Sequence, residues 1–135
     1  MRSGHREFVE SWLRRRAGTS SAPQLAGDAL AAVWERAQRS LSDGPLQALA
    51  RCALDAAAKE FPVLADLRVG ARGFELGACA EAPPNELLAG LGGLLVEFLC
   101  LMEETSGAIL APALEAELLR VARTPPQGLR PVAPG

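Results

Sequence analysis

The chain has 135 residues, a net charge of −2 at pH 7 and 49% hydrophobic residues, which suits one domain with a core that needs no metal or disulfide to fold. This acidic balance excludes the broad basic surface that nucleic-acid binding requires. The three cysteines are widely spaced and form no CxxC pair, so neither a disulfide framework nor a zinc site is expected.

The apolar residues are mainly Leu, Ala and Val, with few aromatic side chains and no Tyr. Ala and Leu are the strongest helix formers, so we predict a mostly α protein. Thirteen Arg residues stand against the single Lys59, a coding bias typical of a GC-rich bacterial genome. We expect Cys52 and Cys100 to be small core residues in a protein of the reducing cytoplasm.

Residues 1–18 form an N-terminal arm in which we predict a helix from Gly4 to about Arg16. Its apolar residues share one stripe, and they are Phe8, Val9, Trp12 and Leu13. The arm either packs on its own chain or docks on a partner or a second copy, as amphipathic helices often do. His5, the one histidine, is expected to be solvated in the first turn.

A core domain over residues 19–123 follows, and it starts with two helices. The first is predicted from about Pro23 to Ser40 with Ser21 before it, and the second from about Gly44 to Glu60 with Asp43 as its N-cap. Because only a few residues connect them, we expect the two helices to pack as an antiparallel pair.

A β-hairpin is predicted at about residues 64–78, between the third and fourth helices. Leu67 and Val69 alternate with polar residues before the sequence GARG, and Phe74 and Leu76 alternate after it. Period-two patterning on both sides of a glycine-bearing turn is typical of a hairpin. Since two strands alone are marginally stable, this hairpin must pack on the helices.

The fourth helix, from about Asn85 to Glu104, contains the most apolar stretch of the chain, Leu87 to Met102. This stretch is shorter than the ~20 residues of a membrane span and contains Glu97. We therefore predict a helix buried inside the protein and no membrane span. Its glycines are interpreted as a notch that lets neighbouring helices approach closely, and they are Gly90, Gly92 and Gly93.

The fifth helix is predicted from about Gly107 to Arg123, with Glu115 facing outward and an apolar seam that includes Leu110, Leu114 and Leu118. Residues 124–135 are rich in Pro and Gly, which is typical of a disordered tail. The whole chain is thus predicted to be mostly α (α+β), a compact four- to five-helix bundle with one small hairpin.

Residue patterns for catalysis are scarce. No serine or cysteine is paired with a histidine by motif, no glycine-rich phosphate loop is present, and no ExxH pair marks a di-metal site. We therefore predict no catalytic, metal or cofactor-binding residues and a protein that is not an enzyme.

The leading hypothesis is a regulatory or adaptor module of a bacterial signalling assembly that acts by protein–protein contact, with a protein partner, a second copy, or both. Its predicted interface residues are Phe8, Trp12, Leu91, Leu94, Leu95, Phe98, Leu110, Leu114 and Leu118. The alternative is a helical sensor that binds an apolar small molecule between its last two helices, where Glu97 or Arg120 would orient the ligand.

Overall fold

Five α-helices make up most of the described chain. The computed structural model describes residues 2–16, 21–70, 73–106 and 110–123. The helices are α1 Arg2–Arg16, α2 Ala22–Gln38, α3 Asp43–Glu60, α4 Pro84–Ser106 and α5 Leu110–Arg123. The predicted tail at 124–135 and part of the predicted linker before α2 lie outside the described residues.

The connection between α3 and α4 contains the predicted hairpin. Its strands are β1 Arg68–Gly70 and β2 Gly73–Glu75, which pair antiparallel with Val69 opposite Phe74. A short 3-10 helix flanks the hairpin on each side, Pro62–Asp66 before it and Gly77–Glu81 after it. The predicted class, mostly α with a small hairpin between the third and fourth helices, is confirmed.

Local sequence signals set the helix ends. The Ser21 side chain accepts a hydrogen bond from the backbone N–H of Gln24 at 3.3 Å and so caps α2, with Pro23 in its first turn. The N-cap of α3 is Ser42 rather than the predicted Asp43. Pro62 follows the end of α3, because a proline disfavours helical backbone in the residue before it.

Helix α4 is the central element, and the other four helices pack against it. The prediction that an apolar α4 is buried on several sides is therefore correct. The segment Pro84–Thr105 is long and apolar enough to cross a membrane, and 61% of its most apolar window is buried inside the protein. A largely buried core helix of a globular protein meets the same length and composition criteria.

The antiparallel α2–α3 pair expected from their short connection is not the main packing of either helix. Helix α2 packs chiefly on α5 and α4, whereas α3 packs chiefly on α4. The buried residues of α3 are Leu46, Ala50, Ala53 and Ala57, and the small side chains of the three alanines let α3 lie close to α4. The large apolar surface of α4 therefore outweighs the short connection in deciding which helices pair.

The hairpin is joined to the helices through Phe74. Its ring makes edge-to-face contacts with Trp34 of α2 and Phe98 of α4, at centroid distances of 5.6 and 5.7 Å. Gly73 has a φ of +119°, and a Cβ there would lie 3.0 Å from the Trp34 ring. A side chain larger than hydrogen is thus excluded where β2 meets α2.

One cysteine prediction is correct and one is wrong. Cys100 is buried as expected, but Cys52 is exposed. The reason is its position on α3, where the neighbouring Ala53 belongs to the buried face and Cys52 lies beside that face. None of the three cysteines forms a disulfide bond.

Candidate functional site

The N-terminal helix α1 is integrated into the core of its own chain. It packs on α4 and α5, and Val9 and Trp12 of its predicted stripe are fully buried. Phe8 and Leu13 of the same stripe are partly buried against the core. The arm therefore adopts the first of its two predicted arrangements in this structure, docked on its own chain.

Trp12 fixes α1 to α5 by a directional bond as well as by burial. Its Nε1 donates a hydrogen bond of 2.8 Å to the backbone carbonyl of Leu118. A buried indole N–H without a partner would cost free energy, so this bond specifies the depth at which the ring sits. This bond thus ties α1 to one position along α5.

The second polar contact of α1 is made by His5, which was expected to be solvated and is instead only 7% exposed. Its Nε2 lies 2.8 Å from a carboxylate oxygen of Glu103 in α4, and its Nδ1 lies 2.9 Å from one of Glu115 in α5. Glu115 therefore points toward α1 and not outward as predicted. We call His5, Glu103 and Glu115 the histidine latch.

The histidine latch joins three helices through one imidazole ring. Both ring nitrogens face carboxylate oxygens, which only accept hydrogen bonds when ionised. Each contact is therefore a full hydrogen bond only when the ring carries two N–H groups.

The charge environment acts on Glu103 as well. A hydrogen bond from the amino terminus of the chain is the larger cause that lowers the pKa of the Glu103 carboxyl, and the hydrogen bond from His5 is the second. Both favour the ionised carboxylate. Glu103 is thus the anionic end of the latch on α4.

The latch does not form a chelating metal site. The two His5 nitrogens point to different carboxylates on different helices, so one ion cannot bind all three side chains through the imidazole. Among the described residues, no group of three or more His, Cys, Asp or Glu side chains is placed to hold a metal ion.

Cys79 is buried and its thiol is not poised as a nucleophile. Its Sγ donates a hydrogen bond of 3.0 Å to the carbonyl of Val63. Burial, and secondarily the negative charge of Asp66, raise the pKa of this thiol above its ordinary value of 9.0. A nucleophilic cysteine needs the opposite shift, so Cys79 is a structural residue.

The glycine-rich stretch of α4 is the close-packing notch that the sequence predicts. A Cβ on Gly93 would lie 2.3 Å from the Phe61 ring, and one on Gly92 would lie 2.9 Å from Leu13 of α1. A Cβ on Gly90 would likewise meet Val63 at 2.8 Å. The three glycines therefore receive side chains from α1 and from the segment after α3.

A groove opens beside this notch, between α1 and α4. This α1–α4 groove has a volume of about 170 Å³, and its lining includes Arg6, Val9, Glu10, Leu13, Phe61, Ala89 and Gly92. A second, more open depression of about 350 Å³ adjoins it and shares Phe61 and Ala89, with Glu60 and Glu86 at its edge. The two form one continuous surface with an apolar floor.

The predicted helix-packing residues are core residues of the single chain. Six of them are at most 2% exposed, namely Leu91, Leu94, Leu95, Phe98, Leu114 and Leu118. Their packing in this structure is within the chain, as is that of Trp12. The side chain of Leu110 lies outside the described ones. Their role in an interface with another chain stays a prediction.

The ligand-orienting residues of the alternative hypothesis are not brought to a pocket by the described structure. Glu97 is half-buried on α4, and the side chain of Arg120 lies outside the described ones. The groove and its adjoining depression are lined by α1, α4 and the segment after α3, without α5. The concave surface thus lies elsewhere than the predicted position between the last two helices.

Comparison of the chain with protein-family models, with curated proteins and with solved structures found no match.

Proposed function

We propose that the chain is a non-enzymatic regulatory module that binds a short segment of a protein partner in the α1–α4 groove. The observation that carries this proposal is the groove itself, which combines an apolar floor with charged side chains at its edges. Peptide segments that anchor in such grooves do so with apolar side chains and gain specificity from flanking charges.

The charges at the groove suggest the chemistry of the segment. Glu60 and Glu86 line the open depression beside the groove, and neither makes a hydrogen bond or ion pair with a described residue. Two unpaired carboxylates attract a cationic group. The favoured partner segment therefore has an apolar anchor for the floor beside Phe61 and a Lys or Arg near it for the acidic edge.

Size favours a peptide side chain over a free small molecule. Pockets for drug-sized ligands usually enclose about 300–1,000 Å³ and bury most of the ligand. The α1–α4 groove, at about 170 Å³, is smaller than this, and the larger depression beside it is open. A single aliphatic or aromatic side chain fits the groove better.

Selection of peptides from a random library on the full-length chain tests the proposal, with binding sites located by NMR chemical-shift mapping. We expect enriched peptides to contain an apolar residue near a basic one and to shift the resonances of Ala89 and Gly92. Ala89→Leu, which fills the groove, should weaken binding at least about tenfold. Ala31→Leu, an equally exposed position on α2, is the matched control and should bind normally.

Charge reversal tests the acidic edge separately. Glu86→Lys should weaken the same peptides, whereas Glu35→Lys on the exposed face of α2 should not. Peptides that shift resonances elsewhere, or that bind Ala89→Leu normally, would contradict the proposal. A co-purified small molecule in native mass spectrometry would favour the sensor hypothesis instead, and a dimer abolished by Ala89→Leu would identify a second copy as the occupant.

A further inference from the structure

One titratable side chain on the inner face of α1 bridges two other helices. The His5 ring is held between Glu103 of α4 and Glu115 of α5, with N–O distances of 2.8 and 2.9 Å. The ring is almost completely buried, whereas the side chains of Glu103 and Glu115 are 35% and 26% exposed. The protonation state of the His5 ring therefore determines how many hydrogen bonds it makes from α1 to α4 and α5.

Removal of one proton breaks one of the two contacts. A neutral imidazole has one N–H and one lone pair, so it can donate to Glu103 or to Glu115 but not to both. The other carboxylate oxygen then faces a nitrogen lone pair at under 3 Å, and the solvent that reaches the carboxylate from one side screens this repulsion only in part. Exchange between the two tautomers moves this contact of lone pair and carboxylate from Glu103 of α4 to Glu115 of α5, or back, without removing it.

The surrounding charges do not substitute for the lost proton. On α5, Glu115 has no other hydrogen-bond or ion-pair partner among the described residues. On α4, the amino terminus of the chain also lowers the pKa of the Glu103 carboxyl. The neighbouring carboxylates Glu7 of α1 and Glu104 of α4 are exposed. Loss of the imidazolium thus leaves Glu115 without a cationic partner among the described residues.

We propose that protonation of His5 latches α1 onto α4 and α5, and that its deprotonation loosens α1 from the bundle. Release of α1 uncovers the apolar side chains of Val9 and Trp12 and breaks the hydrogen bond of Trp12 to Leu118. This device stands independently of what the α1–α4 groove binds. Because α1 forms one wall of that groove, its release also removes the groove.

Hydrogen exchange and NMR of the full chain between about pH 5.5 and pH 9.5, a range that brackets histidine titration, test the proposal. The readouts are amide protection factors of α1 relative to α3, and the ¹⁵N shifts of the His5 ring, which report its protonation directly. As pH rises, we expect the protection factors of α1 relative to α3 to fall at least about tenfold. This fall corresponds to the free energy of one charge-assisted hydrogen bond. The fall should share its midpoint with deprotonation of the ring.

The matched variant is Glu115→Gln. A glutamine amide donates to the lone pair of a neutral imidazole, while the other ring nitrogen donates to Glu103. This variant should therefore keep α1 protected at the alkaline end, where the native chain loses protection. His5→Gln, which has no imidazole to titrate, should show weaker protection of α1 and lack the loss of protection that accompanies deprotonation of the His5 ring in the native chain.

Three outcomes would overturn the proposal. The first is a His5 ring that is already neutral at the acidic end of the pH range. The second is deprotonation of the ring without loss of α1 protection. The third is a Glu115→Gln variant that loses α1 protection as the native chain does. Protection of α3 serves as the folding control in every variant, since α3 packs chiefly on α4 and contributes no residue to the hydrogen bonds of the latch.

Discussion

Individual glycine positions decide how closely the rest of the chain approaches α4. Gly93 lies under the Phe61 ring with no space for a Cβ. Gly27 of α2, by contrast, has no atom within 4 Å of the position that a Cβ would occupy. The two residues share a helical setting and differ in packing, so they form a matched pair.

We expect Gly93→Ala to lower the free energy of unfolding by about 1–2 kcal/mol, because the displaced Phe61 ring costs more than helix propensity returns. Gly27→Ala should raise the free energy of unfolding by up to about 1 kcal/mol, since it gains propensity without a clash. Urea denaturation followed by circular dichroism measures both. Equal stabilisation by the two substitutions would show that Phe61 does not occupy the notch.

The latch residues show what spacing could and could not predict. His5 lies three, four and seven residues before Phe8, Val9 and Trp12, which is the spacing of one helix face. That pattern alone was enough to place His5 on the buried stripe. Its partners were beyond prediction, because Glu103 and Glu115 lie 98 and 110 residues away along the chain, and only tertiary packing brings them together.

At the scale of secondary-structure elements, the hairpin depends on Phe74 more than on its own backbone pairing. Two strands of three residues are marginal in isolation, whereas the Phe74 ring contacts Trp34 and Phe98 edge to face. We expect Phe74→Ala to destabilise the protein by about 3 kcal/mol. Arg68→Ala, at an exposed position of β1, should change stability by less than about 0.5 kcal/mol, as thermal or urea unfolding would show.

Preferential loss of hairpin amide protection in Phe74→Ala, measured by hydrogen exchange, would locate the effect in this element. A cost of under about 1 kcal/mol would mean that the hairpin is held by other contacts. The alternation of Leu67, Val69, Phe74 and Leu76 was sufficient to predict the hairpin. The flanking 3-10 helices carry no comparable periodicity, and the sequence did not indicate them.

The α1–α4 contact should also respond to acid, through Glu103. Its folded-state pKa is lowered, first by the amino terminus and then by His5, so the unfolded chain binds this proton more readily. The stability that the ionised carboxylate contributes is therefore present above its ordinary pKa of 4.5 and is lost as pH falls through the lowered folded value.

Glu103→Gln should remove this part of the acid dependence, which urea denaturation at a series of pH values would measure. The native chain and the variant should differ most in stability near neutral pH and converge as pH falls below 4.5. Glu104→Gln, an exposed neighbour on the same helix, is the control and should keep the native acid profile. If the unfolding free energies of the native chain and Glu103→Gln differed by the same amount at all pH values, titration of Glu103 would be excluded as the source of the acid dependence.

For the molecule as a whole, the apolar excess of α4 is satisfied within the chain. Helices α1, α2, α3 and α5 together cover it, and Leu119, at 37%, is the one large hydrophobic side chain classed as exposed among those described. The sequence indicated correctly that α4 must be covered from several sides. It could not show how much of this cover α1 and α3 supply, because that depends on their close approach to α4 through small residues.

The two tryptophans allow the cooperativity of the whole bundle to be tested, since Trp12 reports on α1 and Trp34 on α2 and the hairpin. The Trp34→Phe variant keeps only Trp12 as a fluorescent probe, and the Trp12→Phe variant keeps only Trp34. Below the titration range of His5, we expect the fluorescence and far-UV circular dichroism transitions in urea to coincide within each variant, because one continuous core includes both rings.

Above that range, the Trp12 fluorescence transition in Trp34→Phe should precede its circular dichroism transition, since a neutral His5 holds α1 with one hydrogen bond fewer. The Trp34 signal in Trp12→Phe should still follow circular dichroism, because α2 packs on α4 and α5 without the latch. An early Trp12 transition at low pH as well would mean that α1 is a separate folding unit whatever the charge of His5. Coincident transitions at both pH values would mean that Trp12 and Val9 alone hold the helix in place.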